Sequence, residues 1–430
     1  MIVEFSVQNF RSIFDLQTIS FVATNLNSSK NNSEIDINNI FEEDGQRFLK
    51  TVGIYGANAS GKSNIIKALE YFCEAIEDLP SPESRLSKLA QPFLFQENYE
   101  ETESFFQIIV IIDGQRYRYG FTVRKNLTSK TEENHSNEII TKEWLFGPKK
   151  VNQVKYFLRR GLEIDKSNLA GSENIANLEY EHTLFLTHAA SYNKDICAKI
   201  RNIIKGYITT KFGSRDDFYR FHSIRQIENE KQKLRFIEFL NSFGLRYKDI
   251  VYKNDEEYRK KNVYPLDKLF LTKSFINDDS KFITLNMQEN ESDGTKKLFD
   301  IAGLILHAFS IETGGLIILD EIDSNFHPSL LIKLVELFNN PEINRTNTQL
   351  LFTSHDTNLM NPALMRRDQF YLTEKNENES TKLYSLSDLK GIRNDADFAK
   401  HYLAGFYGSL PVLSQFVDIK NGENDGTLGI

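Results

Sequence analysis

The stretch Gly56-Ala57-Asn58-Ala59-Ser60-Gly61-Lys62-Ser63 decides how the rest of this sequence is read. It fits the pattern G-x-x-x-x-G-K-S. The apolar run at 48–55 before it reads as a buried strand. Residues 63–79 read as a helix with Ile65, Ile66, Leu69, Phe72 and Ile76 on one side, stopping near Pro80 and Pro82. A glycine turn between strand and helix lets successive N–H groups converge on phosphate oxygens, and the positive helix end adds to that field. Lys62 would supply a point charge to the β- and γ-phosphates, and the Ser63 hydroxyl would ligate Mg²⁺. The expected ATP contacts are Gly56, Ala57, Asn58, Ala59, Ser60, Gly61, Lys62, Ser63 and, in the same turn, Asn64.

A second motif lies far downstream. Leu316-Ile317-Ile318-Leu319-Asp320-Glu321 is an apolar strand ending in two acids. Buried strands of a parallel sheet read as continuous apolar runs, and catalytic groups gather at their carboxyl ends. Asp320 would hold Mg²⁺, and Glu321 would polarise the attacking water. A third stretch, Glu291-Ser292-Asp293-Gly294-Thr295, precedes the start of a helix. Ser292 is a good N-cap there and Gly294 permits close backbone approach, which together make a second anion site. Finally, Gln349-Leu350-Leu351-Phe352-Thr353-Ser354-His355-Asp356 is another apolar strand ending in polar groups.

These segments resemble, in order, the parts of an ABC-type ATPase head. Ser292, Gly294 and Thr295 match its signature loop, with Asp293 in place of a usual glycine; His355 matches the switch histidine that reaches the γ-phosphate. Asp323, in Asp323-Ser324-Asn325-Phe326-His327-Pro328, matches the D-loop. The resemblance implies that one nucleotide needs the phosphate loop of one copy and the signature loop of another. Two copies in a head-to-head dimer, or a higher homo-oligomer, would then sandwich ATP. It also implies slow hydrolysis with Glu321, His355 and Lys62 as the catalytic set. The glutamine that such heads carry near the nucleotide is left open between Gln91 and Gln96.

Outward from the motifs, the expected fold class is α/β: a P-loop head of the ABC type with an N-terminal mixed β region and a mostly helical insertion. The expected division is 1–175 and 281–430 for the two parts of the head, with 176–280 inserted between them. Residues 2–10 alternate as a strand. The runs 105–112 and 117–123 flank Asp113-Gly114, a hairpin signal, and 25–39 and 126–137 read as polar loops. No heptad pattern persists, so no long coiled-coil arm is expected.

The 430 residues carry 40% hydrophobic and 26% charged residues, ordinary values for a globular chain. The net charge of −8 argues against non-specific nucleic-acid binding over the whole surface. Two distant cysteines, Cys73 and Cys197, suit a reducing cytoplasm. The apolar stretch 298–319 is interrupted by Asp300, His307, Glu312 and Gly314-Gly315, so no membrane span is expected.

The opening Phe5-Ser6-Val7-Gln8-Asn9-Phe10-Arg11-Ser12 is similar to the start of recombination-repair and chromosome-maintenance ATPases. More specifically, the chain resembles the AAA-type, ABC-like ATPases of bacterial abortive-infection systems, relatives of the RloA, AbiL and AriA group and of the OLD-family ATPase half. The matching pieces include Tyr117 to Phe121, Glu143-Trp144-Leu145, Arg366 to Tyr371 and Tyr402 to Pro411. That resemblance implies an antiphage sensor and scaffold acting with a separate effector, a Toprim-type nuclease or RloB-like protein; no Toprim-like acidic module is evident after the head. The alternative is a RecF-like repair ATPase that binds duplex DNA through Lys149, Lys150, Arg159 and Arg160. A third possibility is a nucleotide-gated interaction protein with negligible turnover.

Overall fold

The computed structural model describes residues 1–77, 86–127, 138–149, 153–192, 195–206, 208–210, 216–253, 258, 263–311 and 314–411. Pro80, Pro82, Lys150 and most of the expected loop at 126–137 lie outside these described residues.

The architecture is α/β and rests on a six-stranded sheet. Its strands in chain order are β1 (Thr51–Gly56), β2 (Ile208–Thr210), β3 (Leu316–Leu319), β4 (Gln349–Thr353), β5 (Phe370–Lys375) and β6 (Thr381–Ser385), arranged in space as β2-β3-β4-β1-β5-β6. All neighbours are parallel except β5 with β6. The continuous apolar runs follow from burial on both faces. Val52, Ile54, Leu316, Ile318 and Leu351 point into one core, while Tyr55, Ile317, Leu319, Leu350 and Phe352 point into another. Helix α1 (Lys62–Glu77) covers the first face with Ile65, Ile66, Leu69, Phe72 and Ile76.

The N-terminal region forms a seven-stranded antiparallel sheet packed beyond α1. Ser104–Ile112 and Gln115–Lys125 make its central hairpin. Asp113 (φ 51°) and Gly114 (φ 69°) both occupy the left-handed region, as a two-residue hairpin turn demands. Ile2–Gln8 pairs with Ser104–Ile112, and its first residue is clamped to the central sheet: Gln349 Oε1 accepts from the Ile2 amide at 3.0 Å, and Gln349 Nε2 donates to the Ile2 carbonyl at 3.0 Å.

Between residues 176 and 280 the chain is helical at first. Helices α2 (Asp216–Glu228) and α3 (Glu230–Ser242) break at Asn229, whose side chain caps α3, so the charged run 226–239 is two helices and not one. The segment then turns to strand, which the sequence reading did not foresee. Asp249–Tyr252, Leu269–Phe275 and Asp278–Asn286 form an antiparallel sheet leading into the signature-like loop. Helix α4 (Asp293–Ala308) covers the second face of the central sheet, with α5 (Pro328–Asn339) beside it. The α2–α4 contact is close: a Cβ on Gly303 would lie 2.3 Å from the Ser223 backbone, and the Arg220 guanidinium grips the Asp300 carboxylate at 2.9 and 3.0 Å. No helix among the described residues is long and apolar enough to cross a membrane.

Candidate functional site: a phosphate loop beside an acidic strand end

Strand β1 ends at Gly56, where φ is 152° and a Cβ would lie 2.4 Å from the Thr373 carbonyl oxygen. Gly61 (φ 106°) is more tightly held, since a Cβ there would meet Thr381 Oγ1 at 2.0 Å. Glycine is therefore required at both ends of the loop. Ser60 Oγ and Thr373 Oγ1 are 2.6 Å apart, Thr381 Oγ1 donates to the Ser60 carbonyl at 3.0 Å, and Asn64 Nδ2 donates to Ser12 Oγ at 2.7 Å. The loop is thus fixed by β5, β6 and the turn after the first strand. Asn58 and Ala59 are left exposed at its crest.

The Lys62 ammonium folds back on its own loop, donating to the carbonyls of Gly56 (2.8 Å) and Ala57 (3.0 Å). Burial lowers its pKa to about 8, against the opposing pull of Asp320, Glu321 and Asp323. Ser63 Oγ donates to Asp320 Oδ1 at 3.2 Å, so the hydroxyl and the acid expected to share a metal do meet. Thr353 fixes the pair from β4: its Oγ1 donates to Asp320 Oδ1 at 2.6 Å and accepts from the Glu321 amide at 2.7 Å. Glu321 adopts φ 50° and leaves its carboxylate exposed at the strand end. The His355 amide donates to Asp323 Oδ1 at 3.2 Å. The His355 pKa is lowered, first by burial and then by the nearby Lys62 charge, which favours a neutral ring.

Lys62, Ser63, Asp320, Glu321, Asp323 and His355 therefore share one site. Ser292, Gly294 and Thr295 lie instead at the start of α4, where Gly294 faces Asn325. Ser292 caps α4, its Oγ accepting from the Thr295 amide at 3.3 Å. A Cβ on Gly294 would lie 2.5 Å from the Asn325 carbonyl oxygen. Asp293 points outward in an exposed ion pair with Lys296. Gln91 and Gln96 both engage the N-terminal turn: Arg11 Nε donates to Gln91 Oε1 at 2.7 Å, and Gln96 Nε2 donates to Asn9 Oδ1 at 2.6 Å.

The sequence reading missed Thr353, Thr373, Thr381, Ser12 and Lys297. Thr353 lies inside the quoted switch strand, where a hydroxyl closing an apolar run was the available signal. Ser12 ends the quoted opening motif, and Lys297, which donates to the Ser324 carbonyl, follows Thr295 by two residues; neither was given a role. Thr373 and Thr381 come from distant segments and carried no signal. Arg159, proposed for DNA contact, is corrected: it is fully buried, donating to the Glu181, Thr183 and Gly161 carbonyls and pairing with Glu143.

Strand, glycine loop, helix and a facing acidic strand end define a P-loop nucleotide-binding α/β protein. The chain belongs to the family described as "AAA domain, putative AbiEii toxin, Type IV TA system", whose profile matches residues 52–361. No curated protein matches it. Among solved structures it is similar to an SMC head described as "bound to the C-winged helix domain of ScpA" (13% identity, 89% of this chain and 97% of that chain, TM-score 0.48). It is also similar to "the recombination mediator protein RecF-ATPrS in RecFOR pathway" (14%, 89% and 98%, TM-score 0.37). These two likenesses carry no argument about function.

Proposed function

We propose that this chain is an ATPase whose nucleotide state governs its assembly and its grip on a separate effector in cytoplasmic antiphage defence. The observation that carries the reading is the Ser63–Asp320 hydrogen bond of 3.2 Å beside the Lys62 ammonium. Two hard oxygen donors at that spacing, facing a phosphate loop, suit Mg²⁺. Ser63 and Asp320 would hold the ion, which when bound neutralises charge on the phosphates. This chain's own residues do the rest. The loop amides and Lys62 orient the triphosphate, Glu321 accepts a proton from the attacking water, and neutral His355 donates toward the terminal phosphate.

Ser292, Gly294 and Thr295 complete the pocket of a second copy, with 1–175 and 281–430 acting as the head and 176–280 as the insertion, apart from β2 (Ile208–Thr210), which joins the head's central sheet. The family description, "putative AbiEii toxin, Type IV TA system", supports a defence role. The partner that the sequence resemblance implies is a Toprim-type or RloB-like protein. The buried free thiols Cys73 and Cys197 suit a reducing compartment.

The test is Glu321→Gln. This variant should retain ATP through gel filtration and shift to a dimer or larger species, while wild type turns ATP over slowly. A variant that neither retains ATP nor changes its assembly state would overturn the switch. Substituting a neighbouring nuclease or toxin gene product as bait, and finding its capture insensitive to ATP, would overturn the effector half.

A further inference from the structure

The short helix α6 (Phe398–Leu403) is followed by a turn that packs against the phosphate loop. The Ala57 amide donates to the Ser409 carbonyl at 3.0 Å. The turn is held rigidly from below: Tyr384 Oη donates to the Tyr407 carbonyl at 2.7 Å and lies 2.9 Å from Ser409 Oγ. Ser409 is kept at φ 62°, and a Cβ on Gly408 (φ 76°) would lie 2.7 Å from Glu374 Oε2 and 2.8 Å from Tyr384 Oη. Tyr407 is buried beneath, yet Phe406 is 75% exposed and Leu403 62% exposed. The Phe406 ring is braced edge-on by His401, with centroids 5.4 Å apart. A fixed turn that holds a large aromatic face out in water, three residues from its bond to the phosphate loop, is an apolar patch in want of a ligand.

The strand order says which ligand. The groups for the terminal phosphate, Asp320, Glu321 and His355, come from the ends of β3 and β4, on one side of β1. A nucleotide whose terminal phosphate lies there, and whose middle phosphate lies in the loop after β1, must send its base to the other side, over β5 and β6. Glu374, Tyr384 and the 403–409 turn occupy that side. We infer that Phe406, with Leu403 beside it, is the stacking platform for the purine base of the bound nucleotide. This inference rests on the proposed nucleotide site and adds its base-binding half. Base–aromatic stacking is tolerant of ring identity and worth a large factor in affinity.

The experiment is calorimetric titration of the full chain with ATP and, separately, with inorganic tripolyphosphate, both with Mg²⁺. Phe406→Ala should weaken ATP binding about tenfold or more and leave tripolyphosphate binding unchanged, while Phe406→Trp keeps wild-type ATP affinity. The inference is overturned if Phe406→Ala leaves ATP binding intact, or if it weakens both ligands equally. It also falls if wild type binds ATP no better than tripolyphosphate, an outcome that would leave the phosphate site itself standing. If wild type binds neither ligand, the nucleotide reading falls together with the platform.

Discussion

The Lys297 ammonium donates to the Ser324 carbonyl oxygen, and the same charge lies 5.0 Å from the centre of the Phe326 ring. One side chain thus fastens the first turn of α4, which carries Ser292 and Gly294, to the loop that carries Asp323 and, through it, His355. In a closed pair of copies, that link would report the state of one pocket to the other. Lys297→Met should cost about 1.5–3 kcal/mol in unfolding free energy, the scale of one charge-assisted hydrogen bond. It should also flatten a steep dependence of ATPase rate on ATP concentration towards a simple hyperbola, with Lys297→Arg retaining part of the steepness. Rate measurements across ATP concentrations check this.

Gly294 makes a related prediction with the opposite stability logic. An alanine would be favoured by helix propensity, by roughly 1 kcal/mol, yet its Cβ would sit 2.5 Å from the Asn325 carbonyl oxygen. The loop must move. Gly294→Ala should fold with a melting temperature near wild type and bind ATP normally, but hydrolyse it at least tenfold more slowly. Equal turnover would show that the contact is not part of the switch.

Glu143 and Arg159 carry a third prediction, on the fold itself. The carboxylate, fully buried, accepts from Tyr119 Oη (3.1 Å) and from the amides of Phe185 (2.7 Å) and Leu186 (2.9 Å), while Arg159 Nη1 lies 3.4 Å away. Burial raises the Glu143 pKa, and the guanidinium opposes that rise. Removing one partner strands the other without water. Glu143→Ala or Arg159→Met alone should each cost about 3–5 kcal/mol, and the double variant less than the sum. Urea unfolding of the four proteins measures it. Arg160→Glu, at an exposed position, should leave stability nearly unchanged.

Local motifs were the legible part of this molecule. Gly56 to Ser63 and Leu316 to Glu321 announced themselves because close phosphate approach and two-sided burial each demand a narrow set of residue types. The 113–114 hairpin was legible for the same reason. Helical pattern in 226–239 hid its break, because Asn229 ends one helix and caps the next without Gly or Pro. Strand 269–275 was missed inside a stretch that reads as helical, and 278–286 is legible only from Phe282 on, because it is exposed along most of its length and so lacks alternation. Arg159 read as a surface charge since nothing near it in sequence reveals that Glu143, Glu181 and Thr183 converge on it. Thr373, Thr381 and Ser409 reach the phosphate loop only through the order of the strands, which no local pattern encodes.

Lys62 makes the last prediction, on pH. Its folded pKa is lowered to about 8 from 10.5, chiefly by burial. A lysine lowered in this way burdens the fold while charged in both states. Between about pH 8 and 10.5 the unfolded chain binds the extra proton, so stability from this group rises with pH across that window. Nucleotide binding has the opposite sign. A triphosphate in the loop favours the ammonium, so binding above pH 8 must take up a proton, and affinity must fall as pH rises from 8 to 9.5. Arginine stays charged throughout. Calorimetry of ATP binding at pH 8.5, in two buffers of different ionisation enthalpy, should show proton uptake by wild type and much less by Lys62→Arg. The same pair compared across pH should show falling affinity only for wild type. Equal slopes would place the proton on another group and leave Lys62 charged throughout.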